Sequence, residues 1–292
     1  MALKDLIISS FPKYCETLIS GRSVTFRPMI VMEEKSLLIA KQSGDRQAIL
    51  KTLIDILTAC FDIKDINEFS IPEIEHAFLL LRAKSISEID GFTIRCPVTN
   101  ELVEFSLNIM IDLLTYKSEL DSKIKLNNNL LLVMSPPTVE ILLKYPNYKE
   151  DETLIYPFIA SCIKQIHTKK EVIECSEKPH KEIVEFVQHL TSDQFNSIIN
   201  YFDNISIVYF KPEYITKDGI KRNVVIKGIF SFIDFFFNHL TLKTLYIQNF
   251  QMKYHHKYSL TEIENMIPWE RSIYLEQIKS YLAQENNREM SH

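Results

Sequence analysis

Apolar and polar positions along this chain repeat with two periods, and the changes of period mark its elements. Residues 22 to 29 alternate, with Val24 and Phe26 on one side and Thr25 and Arg27 on the other, until Pro28 ends the strand. A helix follows from about Met32 to Ala40 and breaks at Ser43-Gly44-Asp45. A stronger helix then runs to about Cys60, its stripe made of Leu50, Leu53, Ile54, Leu57 and Phe61. Ser70-Ile71-Pro72-Glu73 reads as a capping box opening a helix that carries Ile74, Ala77, Phe78 and Leu81.

Period two returns over residues 92 to 107. Phe92, Ile94 and Cys96 alternate with Thr93 and Arg95, Val103, Phe105 and Leu107 alternate with Glu104 and Ser106, and Pro97 to Asn100 supply the turn of a hairpin. Leu130 to Met134 is a further apolar strand, closed by Ser135-Pro136-Pro137. Beyond it the spacing predicts helices: Ile155, Phe158, Ile159, Cys162 and Ile166 in one stripe, Ile183, Phe186, Val187 and Leu190 in another. Thr191-Ser192-Asp193-Gln194 is a second capping box, for a helix bearing Phe195, Ile198, Ile199 and Phe202. A second hairpin spans about Ile205 to Lys227 around Asp218-Gly219.

The last quarter is helical. Ile229, Phe232, Ile233, Phe236, Phe237 and Leu240 form an amphipathic stripe, with Phe230 and Phe235 off it. Those two are candidate members of a docking face for a partner. Ser259, with Glu262 returning the bond, caps a short helix, and Pro268 starts another with Glu270 near its positive end. Ile267, Ile273 or Tyr274, Ile278 and Tyr281 or Leu282 keep one face apolar, Trp269 is a third candidate for partner contact, and the polar tail from Gln284 to His292 should fray. The whole predicts an α+β chain, mostly helical, with two β-hairpins. Its order suggests a two-lobed plan: an α/β lobe over 1–135 with its hairpin near 92–107, and a helix-rich lobe over 136–292 with its hairpin near 205–227.

Composition narrows the function. A hydrophobic content of 46% across 292 residues is enough for a large core and excludes wholesale disorder. A net charge of -5 argues against a sequence-independent grip on nucleic acid, and the basic stretch Lys211, Lys217, Lys221, Arg222 and Lys227 reads as a solvated hairpin face diluted by Glu213 and Asp218. Five scattered cysteines suit a reducing cytoplasm. The apolar stretch from Met1 to Phe11 is too short for a secretion signal, and Ile226 to Leu240, the densest run, contains Lys227 and Asp234, so no membrane anchor is expected. None of the five glycines builds a GxGxxG or P-loop cradle.

Reactive constellations are equally scarce. His255 and His256 are neighbours, which on a helix points them about 100° apart rather than at one ion. No HExxH, CxxC or GxSxG occurs, so no metal, cofactor or catalytic residue is assigned and the chain is not expected to be an enzyme. The rival reading is a metal-dependent hydrolase using His255, His256 and Glu262.

Six blocks in order give the chain a kinship. They are Val24-Thr25-Phe26-Arg27-Pro28-Met29 with Glu33-Glu34-Lys35; Ile74 through Ser85; Pro136-Pro137-Thr138; Leu190-Thr191 with Gln194-Phe195; Gly228 with Asp234-Phe235-Phe236; and His255-His256-Lys257-Tyr258-Ser259-Leu260 through Met266, Pro268, Trp269, Glu270, Arg271 and Tyr274. Together they resemble the baseplate hub assembly proteins of T-even-type contractile-tailed bacteriophages. The resemblance implies a non-enzymatic protein that binds other phage baseplate hub proteins in the cytoplasm of the infected bacterial host, as an assembly factor or as a permanent subunit of the tail baseplate. It leaves self-association open. It also implies paired cysteines in the two hairpins, suggestive of a metal ribbon. Here Cys96 is unpaired and the hairpin from Ile205 to Lys227 has none.

Overall fold

The computed structural model describes residues 11–116, 122–146, 148, 151–203, 205, 207–238 and 240–289, with 285–289 described by backbone alone. The stretch from Met1 to Phe11 thus falls outside the described residues except for Phe11. In chain order the elements are β1 (Tyr14–Thr17), β2 (Ser23–Phe26), α1 (Val31–Ser43), α2 (Arg46–Cys60), α3 (Ile71–Ser85), β3 (Ile89–Arg95), β4 (Leu102–Asn108) and β5 (Leu114–Tyr116). Then come β6 (Lys123–Asn127), β7 (Leu130–Met134), α4 (Val139–Lys144), α5 (Glu152–Cys162), β8 (Ile163–Thr168), β9 (Val172–Glu174), α6 (His180–Gln188) and α7 (Ser192–Asp203). The last are β10 (Ile207–Phe210), β11 (Glu213–Ile215), β12 (Lys221–Asn223), β13 (Ile226–Lys227), α8 (Ile229–Phe236), α9 (Leu242–His256), α10 (Leu260–Asn265) and α11 (Pro268–Glu289). The chain is α+β, with several small antiparallel sheets. No helix among the described residues is long and apolar enough to cross a membrane.

Two compact units share the chain. Unit 1 comprises Met1–Lys64, Glu75–Leu114 and Tyr209–His292, and unit 2 comprises Asp65–Ile74 and Thr115–Val208.

In unit 1, α1 stops where Gly44 turns left-handed at φ 71°, and Asp45 restarts the chain by accepting the Gln47 N–H at 2.9 Å. The stripe Leu50, Leu53, Ile54 and Leu57 is buried, as its spacing predicts. The first hairpin pairs Phe92 with Phe105 and Ile94 with Val103. The second is less regular than a single hairpin. β11 and β12 close around the Asp218-Gly219 turn, and pairing resumes only at Phe210↔Ile226 and Tyr209↔Lys227. Pro212, which has no N–H to give a ladder, sits in the gap. The four lysines here, Lys211, Lys217, Lys221 and Lys227, are exposed, with Lys221 paired to Glu213, whereas the Arg222 side chain is largely covered and pairs with Asp218 at 2.7 Å.

The aromatic helix α8 buries Ile229, Phe232, Ile233 and Phe236, so the predicted stripe is the core-facing one. Phe236 and Phe232 meet Phe210 edge-on. α9, α10 and α11 pack on α1, where the Val31 N–H donates to the Met266 carbonyl at 2.9 Å. On α11 Arg271, Leu275 and Ile278 are buried, while Ile273, Tyr274 and Tyr281 are exposed. The tail expected to fray from Gln284 continues as helix to Glu289.

Unit 2 corrects a second expectation. The helical stripe drawn from Ile155 to Ile166 ends at Cys162, and Ile163–Thr168 is strand β8. β8 lies between β7 and β9 in a four-stranded antiparallel sheet ordered β6-β7-β8-β9. Ile163 and Ile166 satisfy the helical spacing, but cross-strand partners Met134, Leu132 and Ile173 fix them in the sheet. α5, α6 and α7 bury Phe158, Ile159, Ile183, Val187 and Ile198 in the core of this unit. The Thr191 box is present: Thr191 N–H donates to Gln194 Oε1 at 3.0 Å, and Gln194 N–H to Thr191 Oγ1 at 3.4 Å. At Ser70 both the N–H and the hydroxyl donate to Glu73 Oε2, at 2.8 and 2.9 Å.

Candidate functional site

Charged residues in the N-terminal blocks of unit 1 are consumed by packing. Along α1, Glu33 accepts the Ile30 N–H at 2.8 Å and the Arg27 guanidinium at 2.6 and 3.0 Å. Glu34 is buried and accepts from Arg271 Nη2 at 3.0 Å. Burial pushes the Glu34 carboxyl up, and Arg271 pulls it back. Lys35 reaches Glu264 at 2.6 Å. Three successive side chains therefore fasten three different segments, two of them C-terminal. Arg271 Nε and Nη1 are buried without a hydrogen-bond partner among the described residues.

On α3, the fully buried Arg82 pairs with Asp90, donates to the Ser87 carbonyl at 2.7 Å and lies 5.0 Å from the Phe236 ring centre. Ser85 accepts the Met29 N–H at 2.8 Å and donates to the Leu81 carbonyl. Glu75 is also buried and accepts from the Ile229 N–H, at the start of α8, where Gly228 offers no capping side chain. Burial pushes the Glu75 carboxyl up to about 8, and the Ile229 N–H acts the other way. Glu33 also accepts from the buried Cys60 thiol at 3.5 Å, but burial and the Glu33 charge push that thiol well above its ordinary range, and none of these carboxylates lines a cleft. Their chemistry is fastening.

A metal ribbon would need thiols in the turns of the two hairpins. Cys96 is buried, and its Sγ lies 3.5 Å from both the Thr99 N–H and the Tyr214 hydroxyl. Burial alone would raise the thiol, but the bonds from Thr99, Tyr214 and Val98 outweigh it and bring it to about 7. Around it stand Val103, Ile94 and Val224, with Tyr214, rather than a second thiol or a histidine. These residues do not fit a metal ribbon, and no group of three His, Cys, Asp or Glu able to hold a metal occurs among the described residues.

The set His255, His256 and Glu262 is likewise not brought together. The two histidine rings are 6.4 Å apart and tilted by 49° in the last turn of α9. Glu262 closes a capping box instead, accepting the Ser259 N–H at 2.7 Å while its own N–H donates to Ser259 Oγ at 3.1 Å. A cleft of about 570 Å³ in unit 2 holds Ser161 and His180, 3.0 Å apart. Ser161 Oγ also lies 2.9 Å from the Pro157 carbonyl, which competes with His180 for its single proton.

Of the residues proposed for partner contact, Phe230 is half-buried beneath Arg46, and Phe235 is half-buried with its ring 4.4 Å from Phe92 and stacked on Phe105. Trp269 is 39% exposed. Sequence reasoning passed over another set, the outward aromatic residues of α9. Tyr246, Phe250 and Tyr254 all stand in solvent, the last two stacked at 5.5 Å. Their spacing of four was the available signal.

Comparison with protein families gives a match between residues 11–234 and the family described as T4 bacteriophage base plate protein. No curated protein and no solved structure matches the chain significantly.

Proposed function

The chain belongs to the T4 bacteriophage base plate protein family, and from that membership we propose that it serves assembly of the baseplate's central hub by binding hub proteins, without bond chemistry. A role in the baseplate and interaction with other baseplate proteins follow from the family itself. The hub is the finer step. It is supported by the resemblance of the six sequence blocks to hub assembly proteins. The observation that carries the reading is the exposure of large aromatic side chains on the C-terminal helices: Tyr246, Phe250, Tyr254, Trp269 and Tyr281. Soluble proteins cover aromatic surface of this kind with a partner, and tyrosine and tryptophan are the residues that carry binding energy there. Phe230 and Phe235 have intrachain neighbours, so the reading leans on Trp269 among the residues first nominated.

Such a protein acts in the cytoplasm of the infected host, where tails are assembled. Co-expression with each hub protein of the same phage, followed by size-exclusion chromatography, tests it. A complex with at least one hub protein is expected, and none with any would overturn the proposal. Mass spectrometry of purified particles then separates an assembly factor, absent from the virion, from a permanent baseplate subunit.

A further inference from the structure

α9 has two apolar faces. Leu245 and Met252 point into unit 1 and are fully buried. On the opposite side Tyr246, Ile247, Phe250 and Tyr254 are 52%, 48%, 62% and 71% exposed. At 100° per residue these four fall within about a third of the helix circumference. Lys243 falls inside that arc and Lys253 just beyond its edge. An amphipathic helix packed on its own domain should show water a polar face, and this one shows aromatic rings framed by lysine.

The charge on that face is one-sided. The chain carries a net charge of -5, yet residues 242–257 contain Lys243, Lys253 and Lys257 and no Asp or Glu. None of these three lysines meets a carboxylate among the described residues. At the helix's N-terminal half Lys35 sits 5.4 Å over the Tyr246 ring, and Glu264 neutralises it. The surface is therefore an aromatic ridge with uncompensated positive charge towards both ends of the helix.

We propose that the outward face of α9 is the docking surface for an acidic amphipathic helix of another baseplate protein. The partner's apolar stripe covers Tyr246, Ile247, Phe250 and Tyr254, and its flanking carboxylates meet Lys243 and Lys253. A second copy of this chain fits less well. Its longest helix, α11, already spends the apolar stripe of Leu275 and Ile278 on the core of unit 1. The inference rests on the reading above, that the chain binds baseplate proteins, and adds where and by what chemistry.

A photoreactive phenylalanine analogue placed at Phe250 in the full chain, co-expressed with the baseplate proteins of the same phage, tests it. Ile215, exposed on β11, is the control position. A crosslink from position 250 but not 215 is expected, mapping to a helical segment of a baseplate protein with more Asp and Glu than Lys and Arg. Lys243→Glu with Lys253→Glu should weaken that complex by about tenfold in dilute salt, with the loss shrinking as salt is raised and the circular dichroism unchanged. Crosslinks to a second copy of this chain, or to a neutral or basic segment, would overturn the inference. So would a complex that forms with no crosslink at 250, which leaves the broader function standing. If no baseplate protein binds the unmodified chain at all, both fall together.

Discussion

Glu75→Gln is the sharpest test of the interior described here. Glu75 is buried, its carboxyl is raised from the ordinary 4.5 to about 8, and it accepts the first N–H of α8. Between those two pH values the unfolded chain ionises this group while the folded protein keeps its proton. The folded state therefore binds more protons, and stability falls as pH rises. The stabilising contribution is complete below pH 4.5, declines by about 1.4 kcal/mol per pH unit above it, and levels off past about pH 8. Glutamine keeps the volume and can still accept from Ile229, but it does not titrate. The stability of Glu75→Gln should gain on that of the native chain by roughly 4 kcal/mol between pH 5 and pH 8. Urea unfolding of both proteins, followed by circular dichroism at each pH, measures the difference. Glu34 is also raised by burial, but it is common to both proteins and cancels. A difference that stays constant with pH would refute the reasoning. One that moves in favour of the native chain would mean that the start of α8 holds Glu75 ionised.

Arg271→Leu leaves Glu34 buried without its partner and should cost about 3–5 kcal/mol, whereas the double variant with Glu34→Gln should be no worse than that single. A double-mutant cycle by chemical denaturation checks it, and additive losses would argue that the pair is not coupled. Phe232→Ala empties a fully buried site edge-on to Phe210 and should cost roughly 3–5 kcal/mol, while the half-solvated Trp269→Ala should cost about 1 kcal/mol. Equal losses in thermal unfolding would mean that the Trp269 ring is packed inside.

Features written in a few consecutive residues were legible in the sequence. The Thr191 and Ser259 boxes, the Gly44 break and the buried stripe of α2 all depend on neighbours within one or two turns. The sheet of unit 2 was not, because Ile163 and Ile166 suit either period and only β7 and β9 decide between them. The interior charges were hidden for the same reason. Glu33-Glu34-Lys35 looks like a solvated cluster until Arg271, 237 positions away, is brought beside it. Glu75 and Arg82 did carry a signal, since each interrupts an apolar run on a helix. The outward face of α9 was obscured because its apolar residues lie all round the helix, and nothing local says which side the rest of the chain covers.

The ion pair between Glu34 and Arg271 also fixes an order of events during synthesis. Unit 1 is drawn from three stretches, the last beginning at Tyr209, and the residue that neutralises Glu34 is translated more than 230 residues after it. Unit 2 draws most of its chain from the single stretch Thr115–Val208, which leaves the ribosome earlier. Unit 2 is thus able to fold while translation is still under way, whereas unit 1 carries an unmatched acid until Arg271 has been translated. Any prematurely released product ending before Arg271 lacks the piece that closes unit 1. A partner that needs a completed unit 1 would in this way be offered only chains translated past Arg271.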